Sequence, residues 1–178
     1  VMVAPAPESV VMRLGGPRLL VAAARVEAVA AAAGAVAQVE HRLPGSALLD
    51  AVFEGPFGGD SRVVDGTPFV SMEDGSGLVH TAPGHGKEDF QIGQRFGLGV
   101  LCPVDEAGRF TAGAEPFVGR SVLEVNDDIV KWLEERGRLH PAGTLTHAYP
   151  HCWRCHRPVI FRATHQWFMI IDHDEHRQ

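Results

Sequence analysis

Residues 75–89 read GSGLVHTAPGHGKED, and the organisation of the chain can be worked out from this stretch in both directions. A Gly-rich turn leads into the short apolar run Leu78-Val79, then His80 and Thr81, then a second turn built of Pro83, Gly84 and Gly86. An acidic pair, Glu88 and Asp89, follows where apolar residues begin to recur at Phe90, Ile92 and Phe96, with Gly97 to stop them. That pattern predicts strand, sharp turn, helix. Glycines allow close approach of a backbone to a ligand and can aim N–H groups at an anion. A helix beginning near Lys87 adds its positive end. His80 can move a proton near neutral pH, and Asp89, one turn into the helix, can hold a cation such as an ammonium group. The bland counterpart is that His80 ends a strand and Asp89 only favours the helix dipole. The run Gly-His-Gly-Lys has neither the glycine spacing nor the Ser/Thr of a P-loop.

Upstream, residues 67–72 and 78–81 read as two strands joined by a hairpin turn at 73–77. Residues 18–23, 37–43 and 47–53 read as further strands. An Ala-rich helix is expected over 24–33 with Gly34 as its stop, and a loop over 56–60. Downstream, a strand is expected over 100–104 and a turn over 105–108. A helix is expected over 126–136, with Asn126 as cap, Asp127 and Asp128 in its first turn, Ile129, Trp132 and Leu133 as its buried stripe, and Gly137 at its end. Strands over 144–149 and 159–163 bracket a Cys-x-x-Cys. Strands outnumber helices and hairpins dominate. The fold class is therefore α+β, a twisted, partly closed, barrel-like sheet with two or three helices. Trp132 and Phe90 sit at core spacing, and Cys102 reads as a buried core residue.

The 178 residues suffice for one sizeable domain, and 45% hydrophobic content supports a core. With 22 acidic against 16 basic residues, the net charge of −6 argues against a general nucleic-acid coat. It leaves room for a local site for the end of one RNA strand. Three cysteines point to a reducing compartment, hence the cytoplasm, and to metal or redox use more than a disulfide framework. No segment reaches the roughly 20 apolar residues of a membrane span. The start at Val1 and the final DHDEHRQ read as cuts through a longer polypeptide.

Cys152 and Cys155 supply half of a tetrahedral thiolate site, which His147, His151 or His156 could complete locally. The flanking Pro150 and Pro158 speak against a thioredoxin-like motif, which needs a strand and a helix on either side. Arg154, Arg157 and Arg162 make a small basic patch suited to phosphates. His173 and His176 are expected to face solvent. Trp167 and Phe168 are expected to form an exposed apolar edge.

GSGLVHTAPGHGKEDF (residues 75–90) together with YPHCWRCHRPVIFRATHQWF (residues 149–168) resembles isoleucyl-tRNA synthetases, with valyl and leucyl relatives sharing the outline. The resemblance runs over about residues 18–172 and is dense from Gly75 onward. It implies an inserted editing domain over 1–145, and over 146–178 the Cys-x-x-Cys segment and the strand returning to the catalytic core. It further implies hydrolysis of valine wrongly esterified to the 3′ end of isoleucine tRNA. Asp89 would anchor the α-amino group and His80 would lie beside the scissile ester as the catalytic pair. Thr81, Pro83, Gly84, His85 and Gly86 would bind substrate. Zinc would be held in part by Cys152 and Cys155, with a further Cys pair outside this stretch. The implied partners are the 3′ end of isoleucine tRNA, valine or isoleucine, and the catalytic core. ATP and Mg would serve only the longer parent, since no HIGH-type or KMSKS-type signature occurs here. The family's pocket also draws on a Thr-rich strand with a Trp-Thr-Leu-Pro pattern, absent from residues 1–18, so this stretch alone is expected to hydrolyse little. A rival of another class is a zinc-stabilised RNA-binding module without catalysis.

Overall fold

The computed structural model describes residues 1–67, 69–140 and 148–169. In chain order the strands are β1 (Met2–Val3), β2 (Glu8–Arg13), β3 (Arg18–Ala22), β4 (Gln38–Pro44), β5 (Val52–Glu54), β6 (Asp60–Arg62), β7 (Val64–Asp65) and β8 (Leu78–Val79). The helices are α1 (Val26–Ala32), α2 (Lys87–Phe96) and α3 (Asn126–Glu135), with 3₁₀ turns at Ala23–Arg25 and Gly45–Leu48. The strands make three small sheets. β2 lies between β3 and β4, β1 lies between β7 and β8, and β5 pairs with β6 as a hairpin. All pairs are antiparallel except β1 with β7.

Alternation along β1 and β2 stacks the layers. Val10 and Met12 of β2, with Leu19 and Val21 of β3, face Val26 and Val29 of α1. Leu20 and Leu43, on the opposite face of that sheet, pack with Val3 and Leu78 of the second. Met2, next to Val3 and so on the other side, packs with Ile92 and Phe96 of α2. Two sheets thus meet face to face, with a helix outside each. Where β2 pairs with β4 the register slips between Val11 and Met12, so that Val11 opposes His41 and Met12 opposes Val39. Glu40, the extra residue, takes Arg13 Nε at 3.0 Å and Arg18 Nε at 2.7 Å. The Arg13 hydrogen bond leads in holding its carboxyl below the usual carboxylate range.

α3 is held apart from these layers. Trp132 stacks on Phe57 at 4.8 Å, and Phe117 meets both rings edge-on. Arg138 donates to the carbonyls of Gly55 and Pro56 and to Glu54 Oε1, tying the end of α3 to the β5–β6 hairpin.

The α+β reading holds with three helices, and the sheets stay open with no closed barrel among the described residues. Several expected elements differ. The described residues among 67–72 form no strand. Phe69 N–H closes a turn onto Gly66 O, and β8 pairs with β1 in place of a hairpin partner. Residues 47–53 split into the end of a 3₁₀ turn and the start of β5. Residues 100–104 and 159–163 contribute only an isolated bridge at Val104 and, just before the second, one between His151 and Pro158. Asn126 lies inside α3, whose capping position belongs to Val125, and it makes no capping bond. Ile129, Trp132 and Leu133 are half-buried. Phe90 is exposed, because the inward face of α2 runs through Asp89, Ile92, Gly93 and Phe96, about a quarter-turn away. Cys102 is half-buried. The expected strand over 144–147, the boundary at 145/146, His147, His173 and His176 lie outside the described residues.

Candidate functional site

The stretch 75–89 is fixed at both ends. Ala22 N–H bonds Ser76 O at 2.8 Å and Arg25 Nε bonds Gly75 O at 3.0 Å, which docks the Gly-rich turn on the end of β3. β8 then pairs with β1, with Leu78 opposite Val3 and Val79 opposite Met2. The chain leaves the sheet at His80, whose side chain is exposed. It folds into a tight turn in which His85 N–H bonds Ala82 O at 2.8 Å, and enters α2 from Gly86.

The two glycines of this turn do different things. Gly84 is buried, and a Cβ there would overlap the carbonyl oxygen of Leu101 and lie 2.9 Å from its carbon. Its own carbonyl accepts from Ala163 N–H at 2.8 Å, and His85 Nδ1 lies 3.0 Å from Phe161 O. The turn is therefore wedged between residues 101–102 and 161–163. Pro83 fills the hollow above Gly93, where a Cβ would meet the proline ring at 2.8 Å. Gly86 is extended, and the space over it holds the Asp89 carboxylate.

Asp89 shares the inward face of α2 with Ile92 and Phe96, which makes it half-buried. None of the ion pairs among the described residues involves it. Its carboxylate is drawn back over the helix start, where the unpaired N–H groups of the first turn favour negative charge. An anion such as phosphate would meet that carboxylate first, so the helix start is better suited to a cation than to a phosphate cradle. Thr81, half-buried beside it in sequence, has an Oγ1 shielded from solvent with no hydrogen-bond partner among the described residues. Thr81→Val, which removes this hydroxyl at nearly constant shape, is expected to leave stability unchanged or raise it by about 1 kcal/mol. Urea unfolding checks this, and a clear loss of stability would mean that the hydroxyl has a partner.

The sequence reading thus placed Asp89, Gly86, His85, Gly84 and Pro83 around one turn, and the structure brings these together. His80 is exposed, where β8 ends. A hollow of about 640 Å³ opens on the His85 side, lined by Phe110, Leu123, Asn126, Tyr149 and Phe161 among others, and Asp89 is not part of its wall. Leu101, Phe161 and Ala163, which clamp the turn, were not foreseen. They act through main-chain groups, and side-chain identity carries no signal for those.

Cys152 and Cys155 lie in a second turn, where Cys152 N–H bonds Arg157 O and His156 N–H bonds Cys152 O, each at 2.8 Å. Main-chain N–H groups of Cys155 and Arg154 point at the Cys152 sulfur and lower its pKa, with the Cys155 side chain adding to the effect. Both thiols are free. As a metal site the described residues supply only this pair. No cluster of three or more His, Cys, Asp or Glu among them is placed to hold a metal ion, and His151 Nδ1 is turned to Tyr149 O at 2.9 Å. The pair does not amount to a complete tetrahedral set. Trp167 and Phe168 are fully exposed. Among the described residues no helix is long and apolar enough to cross a membrane.

Comparison with known proteins gives a consistent picture. The isoleucine–tRNA ligase of Syntrophomonas wolfei is 44% identical over 170 residues, covering 94% of this chain and 18% of the relative. That of Nitratidesulfovibrio vulgaris is 40% identical over the whole of this chain and 19% of its own length. This chain matches one segment of isoleucine–tRNA ligases. The segment amounts to about a fifth of the ligase in these relatives. In the ligase of Thermococcus kodakarensis a shorter match of 102 residues reaches 56% identity. No model of a known protein family matches the chain. A crystal structure of GlLeuRS-CP1 superposes with a TM-score of 0.61 over 77% of this chain and 71% of that one, at 14% identity. At that identity the likeness concerns fold alone.

Proposed function

We propose that this chain is the greater part of the editing domain of a cytoplasmic isoleucine–tRNA ligase, which removes valine wrongly esterified to the 3′ end of isoleucine tRNA. The observation that carries the reading is Asp89, a half-buried carboxylate without a cation partner, held over the start of α2 inside the turn of the matching segment. A free α-ammonium group is the feature common to aminoacyl esters, and a fixed carboxylate is its natural partner. Thr81 Oγ1, shielded and unpaired among the described residues, would reach the ester or the terminal ribose only once the turn opens. His80, exposed at the end of β8, would orient water or take up a proton as the ester opens. The tetrahedral intermediate then requires donors already aimed at its oxygen.

A second site is needed because one methylene in a hydrophobic pocket is worth about 1–3 kcal/mol, a figure established with this same enzyme class. ATP and Mg belong to the synthetic site of the longer enzyme, and the strand leading out through Trp167 would return the chain to that core. Cys152 and Cys155 would supply two of four zinc ligands, the others coming from outside the described residues.

The test uses the full-length ligase. Asp89→Ala is expected to lower the ratio of valyl to isoleucyl ester hydrolysis on isoleucine tRNA by about tenfold, because the carboxylate fixes where the ammonium group common to both esters stands and so which of two side chains differing by one methylene is accepted. An unchanged ratio removes Asp89 from the site. The rival, a zinc-stabilised RNA-binding module, draws on the 80% exposed Trp153 with the Arg154 guanidinium 4.9 Å from its ring centre, a surface suited to stacking a base. It is favoured if the full-length enzyme hydrolyses neither ester.

A further inference from the structure

A position demands glycine for one of two reasons. Either the backbone adopts a conformation that side chains forbid, or something else occupies the place of the Cβ. At Gly86 the first reason fails. Its φ of −152° and ψ of 147° are extended backbone open to any residue. The second reason holds, and the occupant is specific. The three atoms nearest to a Cβ built on Gly86 all belong to Asp89, with Oδ2 overlapping it, Cγ at 3.0 Å and Cβ at 3.4 Å. Gly84, two residues earlier, makes the contrast, because there the obstacle is the Leu101 main chain, which cannot step aside.

The difference has a chemical consequence. A methyl group at residue 84 would push against backbone. A methyl group at residue 86 would push only against the end of a side chain that can rotate. The helix would keep its place and the carboxylate would lose its own.

We propose that Gly86 is a positioning residue that acts through Asp89, by leaving open the space over the start of α2 in which the carboxylate sits. This rests on the reading of Asp89 as the anchor for a substrate ammonium group. It gives Gly86 a role apart from binding substrate with its own main chain. The glycine sets where the charge stands, and so which amino acid is held with its ester open to hydrolysis.

The experiment is a double-mutant cycle in the full-length ligase, with Gly86→Ala, Asp89→Ala and the two combined. The readout is the ratio of valyl to isoleucyl ester hydrolysis on isoleucine tRNA. A partly unfolded preparation cuts both esters less in the same proportion, so a structural defect leaves this ratio where it was. Gly86→Ala is expected to lower the ratio by about fivefold, in the direction of Asp89→Ala, and to add less than about twofold when Asp89 is already alanine. With the carboxylate gone, the methyl group has nothing left to displace. If Asp89→Ala lowers the ratio and Gly86→Ala does not, the positioning role is overturned and the proposed function stands. If the two effects add in full, Gly86 acts independently of Asp89 and the inference is likewise overturned. If Asp89→Ala leaves the ratio unchanged, the proposed function and this inference fall together.

Discussion

Gly84→Ala is expected to destabilise the protein by about 3 kcal/mol, an overpacking cost with a main-chain hydrogen bond weakened in addition. The added Cβ would overlap the Leu101 carbonyl oxygen, and neither side of that contact ends in a flexible group. To make room, either the turn must rise or residues 101–102 must retreat. If the turn rises, Ala163 N–H loses Gly84 O and His85 Nδ1 loses Phe161 O. If residues 101–102 retreat, the neighbouring bridge of Val104 to Phe110 is disturbed. Urea unfolding of the whole chain, followed by circular dichroism, measures the loss. Gly86→Ala is the internal comparison, since it forces only a side chain to turn and exchanges a tolerated capping residue for a poorer one. Its cost is expected to stay near 1 kcal/mol. Equal losses at the two positions would contradict the close approach at Gly84, and with it the wedging of the turn between two distant segments.

That wedging also explains what could be read in advance and what could not. α2 was legible because its signals are local. Apolar residues recur within ten positions, two acidic residues open it, and Gly97 closes it at φ 63°. α3 was legible on the same grounds, although Asn126, a good capping residue by type, stands one place too far inside. The sheets are another matter. β1 is two residues long and pairs with partners near positions 64 and 78, so nothing within its own neighbourhood marks it as the middle of a sheet. β2, the centre of the larger sheet, was missed altogether, although Val10 and Met12 are its buried alternate residues. Conversely, residues 67–72 have strand-like composition, yet no described residue among them pairs with a sheet edge. β-propensity describes fitness for a pleated surface, and whether a surface is on offer depends on the rest of the chain.

The candidate site divides along the same line. The side chains that can do chemistry, His80, Thr81 and Asp89, were visible as types at a spacing. What makes Asp89 more than an ordinary first-turn carboxylate was not visible. It is half-buried because the inward face of α2 passes through it, and that face is set by Met2 and Val64 on the far side. None of the ion pairs among the described residues reaches it, and Arg62 donates to the Phe96 carbonyl at the other end of the same helix. Neither fact follows from fifteen residues of sequence.

The second large effect is expected far from the site, at Met12. Its side chain is completely buried in the middle strand of the β3–β2–β4 sheet, where Met12 pairs with Leu19 on one side and Val39 on the other, beneath Val26 and Val29 of α1. Met12→Ala leaves a cavity with strands on both sides and a helix above, and such a site collapses poorly. A loss of about 3 kcal/mol is expected, from the transfer and cavity terms together. Because α1 closes the cavity, part of the loss is expected as earlier opening of this helix, seen as faster amide exchange over Val26–Ala32 than in the β1–β7–β8 sheet. Val36→Ala serves as the control, since Val36 is 85% exposed and its truncation is expected to change stability by less than about 0.5 kcal/mol. A Met12→Ala midpoint close to that of the control would mean that β2 is not the buried centre of its sheet. The alternation that turns Leu20 and Leu43 toward Val3 and Leu78 would then lose its basis, and so would the placement of β8, the strand that ends just before His80.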